Sequence, residues 1–298
     1  MRDEGAAGGK PTWRRIIDFP LVAMVIAIAL FAAAAALGAI IGKYVPPIGR
    51  SWMALGHAII DIGLAFAVYK LAIVRLGERP RDDLPAAGSG RNLLLGLLAG
   101  AVIFSLVVAL AALFGVYRIT GQGDTSRLVI ALAGTALIPG FMEELFFRGI
   151  LFRWIEEFGG SWAALVVTSA LFGLAHILNP NATWFSSLSI AIEAGVLLGG
   201  AYMMTRSLWF PIGLHAAWNF TQGEVFDVPV SGLDQQGLVQ AKLSGPELLS
   251  GGQFGLEASI LALLVATAAG LCLVWLAVKR GYVVSPWWVR RRSGATTT

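Results

Sequence analysis

Residues 128–150 read LVIALAGTALIPGFMEELFFRGI. A helix needs about 20 apolar residues to cross the hydrocarbon core of a bilayer, and this run is long enough. Yet its second half holds Glu143, Glu144 and Arg148. Ionisable groups at membrane depth are costly and mark functional sites. This one stretch therefore raises both the question of a membrane fold and that of a buried polar site.

Composition answers the first question. Of the 298 residues, 57% are hydrophobic and 13% charged, and mean hydropathy is +0.74. A soluble domain carries about 25% charged residues, so the solvent for most of this surface must be lipid. The net charge of +4 and pI near 9.5 read as loop charge that sets orientation, not as a nucleic-acid footprint. One cysteine, Cys272, lies in an apolar run, which leaves neither a disulfide framework nor a cysteine zinc site.

Eight candidate spans follow: 16–41, 52–74, 92–114, 128–150, 161–178, 187–205, 208–223 and 256–278. The fifth and seventh are short, which is tolerable inside a bundle. The first run is longer than a signal-peptide core and lacks a convincing cleavage site, so it reads as a retained helix. Glycine-rich runs at 97–100 and 195–200 suit close helix packing. With the N-terminus inside, lysines and arginines divide fifteen inside against five outside, which favours both termini in the cytoplasm. The expected fold is an all-α polytopic transmembrane bundle, one membrane domain over 1–298. Its motif-bearing core is 128–222 and a disordered basic tail occupies 287–298. The long outer segment, 224–255, reads as a solvated loop or a cap.

Three motifs carry chemistry. In the first, Glu144 and Arg148 are four apart, the spacing of an intrahelical ion pair. Glu143 points about 100° away and lacks that partner. Glu144–Arg148 is thus a positioning pair and Glu143 the general-base candidate. Pro139 removes a backbone hydrogen bond nearby. The second motif places Phe172 and His176 on one helix face. In the third, His215 and Asn219 share a face, and both can donate to a developing oxyanion. A turn at Gly159-Gly160 would fold the fourth and fifth spans into a hairpin. Glu143 and His176 would each then lie about 24 Å from the turn, at one depth.

Other polar residues read more plainly. His57 and Asp61 suggest a polar interhelical contact. Glu193 suggests an acid behind the site. Glu156 and Glu157, near the turn, are expected to face water. Asn181-Ala-Thr183 fits a glycosylation pattern, a weak signal.

Taken in order, Glu143-Glu144-x-x-x-Arg148, Phe172-x-x-x-His176 and His215-x-x-x-Asn219 resemble the CPBP family, which groups CAAX-processing endopeptidases with bacteriocin-processing and Abi-type membrane proteins. The resemblance covers about a third of the chain. It implies peptide-bond hydrolysis in the membrane: Glu143 and His176 activate water, Glu144 and Arg148 brace the site, His215 and Asn219 hold the oxyanion. Phe172 and Phe147 are the expected substrate-binding aromatics. No cofactor is required on this reading; the alternative is a zinc ion on Glu143, His176 and His215, with an open position for water. The expected partners are membrane-associated peptide substrates and the bilayer, with no nucleic acid. An Ala/Gly-rich chain of this kind reads as bacterial, hence inner-membrane. Two other readings use the same residues: a non-catalytic immunity or scaffold protein, and a proton-coupled transporter relaying through Glu143, Glu144 and Glu193. Transporters of that kind carry inverted repeats, and none is evident. Site-2-type zinc chemistry would need His-Glu-x-x-His, which the sequence lacks.

Overall fold

The computed structural model describes residues 11–46 and 49–292. Among these, six helical stretches are long and apolar enough to cross a membrane: Pro20–Gly42, Arg50–Arg75, Ser89–Leu113, Leu128–Leu178, Trp184–Thr205 and Ile260–Lys279. The protein is a multi-pass helical membrane protein, as composition requires. Val25, Leu98, Val102, Val166, Leu264 and Leu271 all lie exposed on these helices, the outer surface expected where the solvent is lipid.

In chain order, the helices begin with α1 (Thr12–Asp18), α2 (Pro20–Gly42), α3 (Arg50–Leu71) and α4 (Ser89–Leu113). A strand, β1 (Tyr117–Gln122), follows. The 51-residue stretch Leu128–Leu178 is two arms joined by a turn. Its first arm comprises α5 (Leu128–Ala131), a π-helical segment (Leu132–Leu137), α6 (Ile138–Glu144) and a second π segment (Leu145–Phe152). Its second arm lies within α7 (Arg153–Ala175), and Gly160, at φ 84°, makes the turn. A straight helix would hold Phe147 and Phe172 about 37 Å apart; their ring centroids are 4.9 Å apart. The hairpin read from Gly159-Gly160 is therefore present.

The remaining helices are α8 (Trp184–Thr205), α9 (Trp209–Phe220), α10 (Glu247–Ser250), α11 (Ile260–Lys279) and α12 (Trp287–Arg292), with β2 (Val239–Leu243) before α10. At twelve residues α9 is too short to span alone, and a π segment (Thr221–Val225) extends it. Its residues from Phe210 to Asn219 are all buried. Small residues make that enclosure possible. A Cβ on Gly96 or Gly100 of α4 would fall on the carbonyl oxygens of Phe210 and Leu214. One on Gly140 of α6 would come within 2.9 Å of the Ala216 Cβ. Helix α9 is thus clamped backbone to backbone between α4 and α6.

The segments expected inside meet at one end of the bundle. Arg14 donates to the Arg75 carbonyl at 2.8 Å, Leu208 N to the Asp83 carbonyl at 2.7 Å, and Ser161 N to the Val284 carbonyl at 3.0 Å. Glu156 belongs to this end and does not face water as expected. It is 1% exposed, accepting from Ser161 Oγ and Arg206 Nη1, both at 2.6 Å. The helix turn folds back under the C-terminal segment, so the carboxylate is covered. Within the basic tail, residues 287–292 are helical rather than disordered; residues 293–298 lie outside the described residues.

At the other end β1 and β2 pair antiparallel. The segment 224–255 caps the bundle, with its own Val228, Val230 and Phe254 buried. His57 contacts the Gly42 carbonyl at 2.9 Å, the polar link between α2 and α3 read from the sequence. Thr183 caps α8 in a reciprocal box with Ser186, and Asn181 donates to the Gly232 carbonyl at 3.2 Å. Both residues thus have structural work.

Candidate active site

The first motif sits where the arm Leu128–Leu178 departs from α-helical geometry. Segments of π-helix free backbone groups and are frequent at functional sites. Pro139 adds to this, having no N–H to return to the Thr135 carbonyl four residues earlier. Asn219 supplies the missing donor: its Nδ2 lies 2.9 Å from that carbonyl. Asn219 therefore ties α9 to the motif-bearing arm. Only its remaining N–H is left for a substrate.

Glu144 is fully buried. Its Oε1 accepts from Arg148 Nη1 at 2.9 Å, as the spacing predicts, and also from His215 Nδ1 at 3.0 Å. One oxygen joins the first and third motifs. Arg148 is equally buried, and its guanidinium lies 4.7 Å from the centroid of the Phe172 ring. Phe172 in turn stacks on His176, with centroids 4.7 Å apart, and stands 6.1 Å from the ring of His215. All three motifs converge. The buried Oε2 of Glu143 has no hydrogen-bond partner.

The two histidines have defined tautomers. His176 Nδ1 is 2.8 Å from the Phe172 carbonyl oxygen, which can only accept, so Nδ1 carries the hydrogen. The same holds for His215 against the Glu144 carboxylate. In each neutral ring the lone pair is then on Nε2. Both residues line a cavity of about 30 Å³, room for a water molecule. Asn219 and Phe172 line it too. Glu143 and Phe147 do not; Phe147 packs behind Phe172.

Two further carboxylates line this cavity: Glu193 of α8 and Glu257. Glu193 was read as an acid behind the site, and it is buried there with Oε2 unpartnered. Glu257 was missed, although it lies within the apolar run 256–278 and carries the same signal that singled out Glu143. It sits in a 3₁₀ turn, Leu256–Ala258, just ahead of α11. Burial pushes its carboxyl up to about 7, against the opposing pull of a hydrogen bond from Ser231 N–H. Ser231 itself forms part of the cavity wall.

The zinc alternative needs Glu143, His176 and His215 as a converging set. Among the described residues no group of three or more His, Cys, Asp and Glu side chains is placed to hold a metal ion.

Residues 125–221 match the family model described as Rce1-like, type II CAAX prenyl endopeptidase. That match supports the CPBP/CAAX-protease family. The matched segment spans about a third of the chain and contains all seven motif residues from Glu143 to Asn219. Ser231 and Glu257 lie beyond it. No curated protein and no solved structure matches the chain.

Proposed function

We propose that this protein is an intramembrane endopeptidase that hydrolyses membrane-associated peptides with a water activated by Glu143 and His176. The observation that carries this is the convergence of the motifs: two imidazoles with Nδ1 already bonded line one water-sized space, and Glu143, outside its wall, keeps a buried carboxylate oxygen with no hydrogen-bond partner. His176 Nε2 accepts a hydrogen bond from the water and orients it. The water oxygen attacks the scissile carbonyl carbon, and its proton passes to the Glu143–His176 pair. His215, held by Glu144, carries a second hydrogen on Nε2 when protonated and donates it to the oxyanion. As the tetrahedral intermediate collapses, the C–N bond breaks and the leaving amine takes the proton from the Glu143–His176 pair. Glu144 and Arg148 hold the imidazole in place. No step is assigned to a metal.

On this reading the protein works in a bacterial inner membrane, on substrates that reach the site from the bilayer. The test pairs wild type with Glu143→Gln in the native membrane. Substrates should accumulate uncut on the variant, and the purified variant should lose about 10²–10⁴ in kcat, the scale of general-base catalysis. Undiminished cleavage by Glu143→Gln removes it as the base. Activity lost to a chelator and restored by zinc overturns the metal-free route.

A further inference from the structure

A second polar site lies at the opposite end of the bundle, away from the motifs. The loop after α3, the turn between the two hairpin arms and the segment before α12 enclose a hollow of about 270 Å³. Four arginines line it, Arg79, Arg81, Arg153 and Arg290, against two glutamates, Glu156 and Glu157.

Four guanidiniums face two carboxylates in this wall, and Arg290 also donates to the carbonyls of Ser285 and, at 2.7 Å, Glu157. Glu156 is occupied by Arg206 at 2.6 Å and by Ser161. Asp83, buried behind the hollow, pairs with Arg81 at 2.8 Å and accepts from Tyr69 and Tyr202. Arg153 is 2% exposed, and neither of its terminal nitrogens has a hydrogen-bond partner. Its nearest carboxylate oxygen, on Asp83, is 3.6 Å away. A buried guanidinium with unused donors is costly and calls for an acceptor with several oxygens.

The surroundings point to where that acceptor comes from. The basic residues of the inner segments gather at this end. A second hollow of about 90 Å³ shares Arg79, Glu157 and Arg290 with the first and extends to Trp287, Arg291 and Glu78, the last 3.5 Å from Arg291. Trp288 beside it is partly exposed and packs edge-on to Phe158, with centroids 5.7 Å apart. Tryptophan and arginine together mark the headgroup layer of a membrane, and arginine forks match phosphate oxygens.

We propose that this hollow binds the phosphate of an anionic glycerophospholipid headgroup. The lipid fastens α12 and the 76–88 loop to the hairpin turn, and the zwitterionic choline headgroup is disfavoured beside four guanidiniums.

The test is thermal unfolding of the delipidated full-length protein in dodecyl-maltoside micelles. Phosphatidylglycerol, phosphatidylcholine or inorganic phosphate is added in separate arms. Phosphatidylglycerol should raise Tm and phosphatidylcholine should not. The double variant Arg79→Gln/Arg290→Gln should lose most of that rise. A control variant at the opposite end, Arg118→Gln/Lys242→Gln, should keep it. An equal rise with phosphatidylcholine, a rise retained by the double variant, or a rise lost equally in the control overturns the site. The same rise from inorganic phosphate, lost in the double variant, overturns the lipid as the source.

Discussion

A single oxygen, Oε1 of Glu144, holds both Arg148 and His215. Glu144→Gln would leave Arg148 buried without its counter-charge, at about 3–5 kcal/mol. We expect a large fall in Tm for Glu144→Gln and little for Glu143→Gln; comparable losses would contradict the division of labour between the two. Asn219→Ala should cost about 1–3 kcal/mol, because the Thr135 carbonyl loses its donor. A variant with wild-type Tm but a hundredfold lower kcat would put that amide on the oxyanion instead. Glu257 gives a pH dependence. Its folded-state carboxyl titrates at about 7, above the usual 4.3 or so of a free glutamate. The native state therefore binds the proton more tightly than the unfolded chain. Its contribution to stability is fully present below about pH 4 and is lost as pH rises toward 7, by on the order of 3 kcal/mol. Glu224, also pushed up to about 7 by burial and by Asp227, adds to the same window. Thermal unfolding against pH should show this slope, and Glu257→Gln should flatten it in part. An unchanged slope would mean that Glu257 titrates as a free acid.

At the scale of elements, the close approach of α4 to α9 positions the third motif. A methyl group on Gly100 would meet the Leu214 carbonyl, one residue before His215. Overpacking of this kind costs about 1–3 kcal/mol. Gly100→Ala should therefore lower Tm and activity together, while Gly63→Ala, where a Cβ meets nothing within 4 Å, should change neither. Much of this was legible in the sequence. The glycine pair at 159–160 announced the hairpin, which Gly160 makes at φ 84°. The i,i+4 rule identified Glu144–Arg148 correctly. It could not reveal His215 as a second partner, because that contact depends on how far α9 slides between its neighbours. The π segments were equally illegible, since apolar periodicity does not report a single added residue per turn. Glu156 was misplaced for a related reason: proximity to a turn suggests water only until the partner segment, here 282–286, is known.

Across the whole molecule, hydropathy and the lysine–arginine bias were sufficient for a bundle with its basic segments gathered at one end. They also make a topology prediction. In a chain with Cys272→Ser, a cysteine at Arg118 should react with an impermeant maleimide on intact cells, and one at Arg79 only after permeabilisation. The reverse pattern would invert the orientation. The cap at the far end was open in the sequence because its segment is polar enough for solvent, and only its pairing with β1 shows what it covers. That cap bears on how such a protein diversifies. The seven motif residues lie within one continuous third of the chain, whereas Ser231 and Glu257, which line the same cavity, come from the stretch that follows. On the proposed function, the catalytic groups and part of the cavity wall are written in adjoining but separate passages of sequence. On that proposal, exchanging 226–258 for the corresponding segment of a related protein should alter which bonds are cut and leave the motif residues intact.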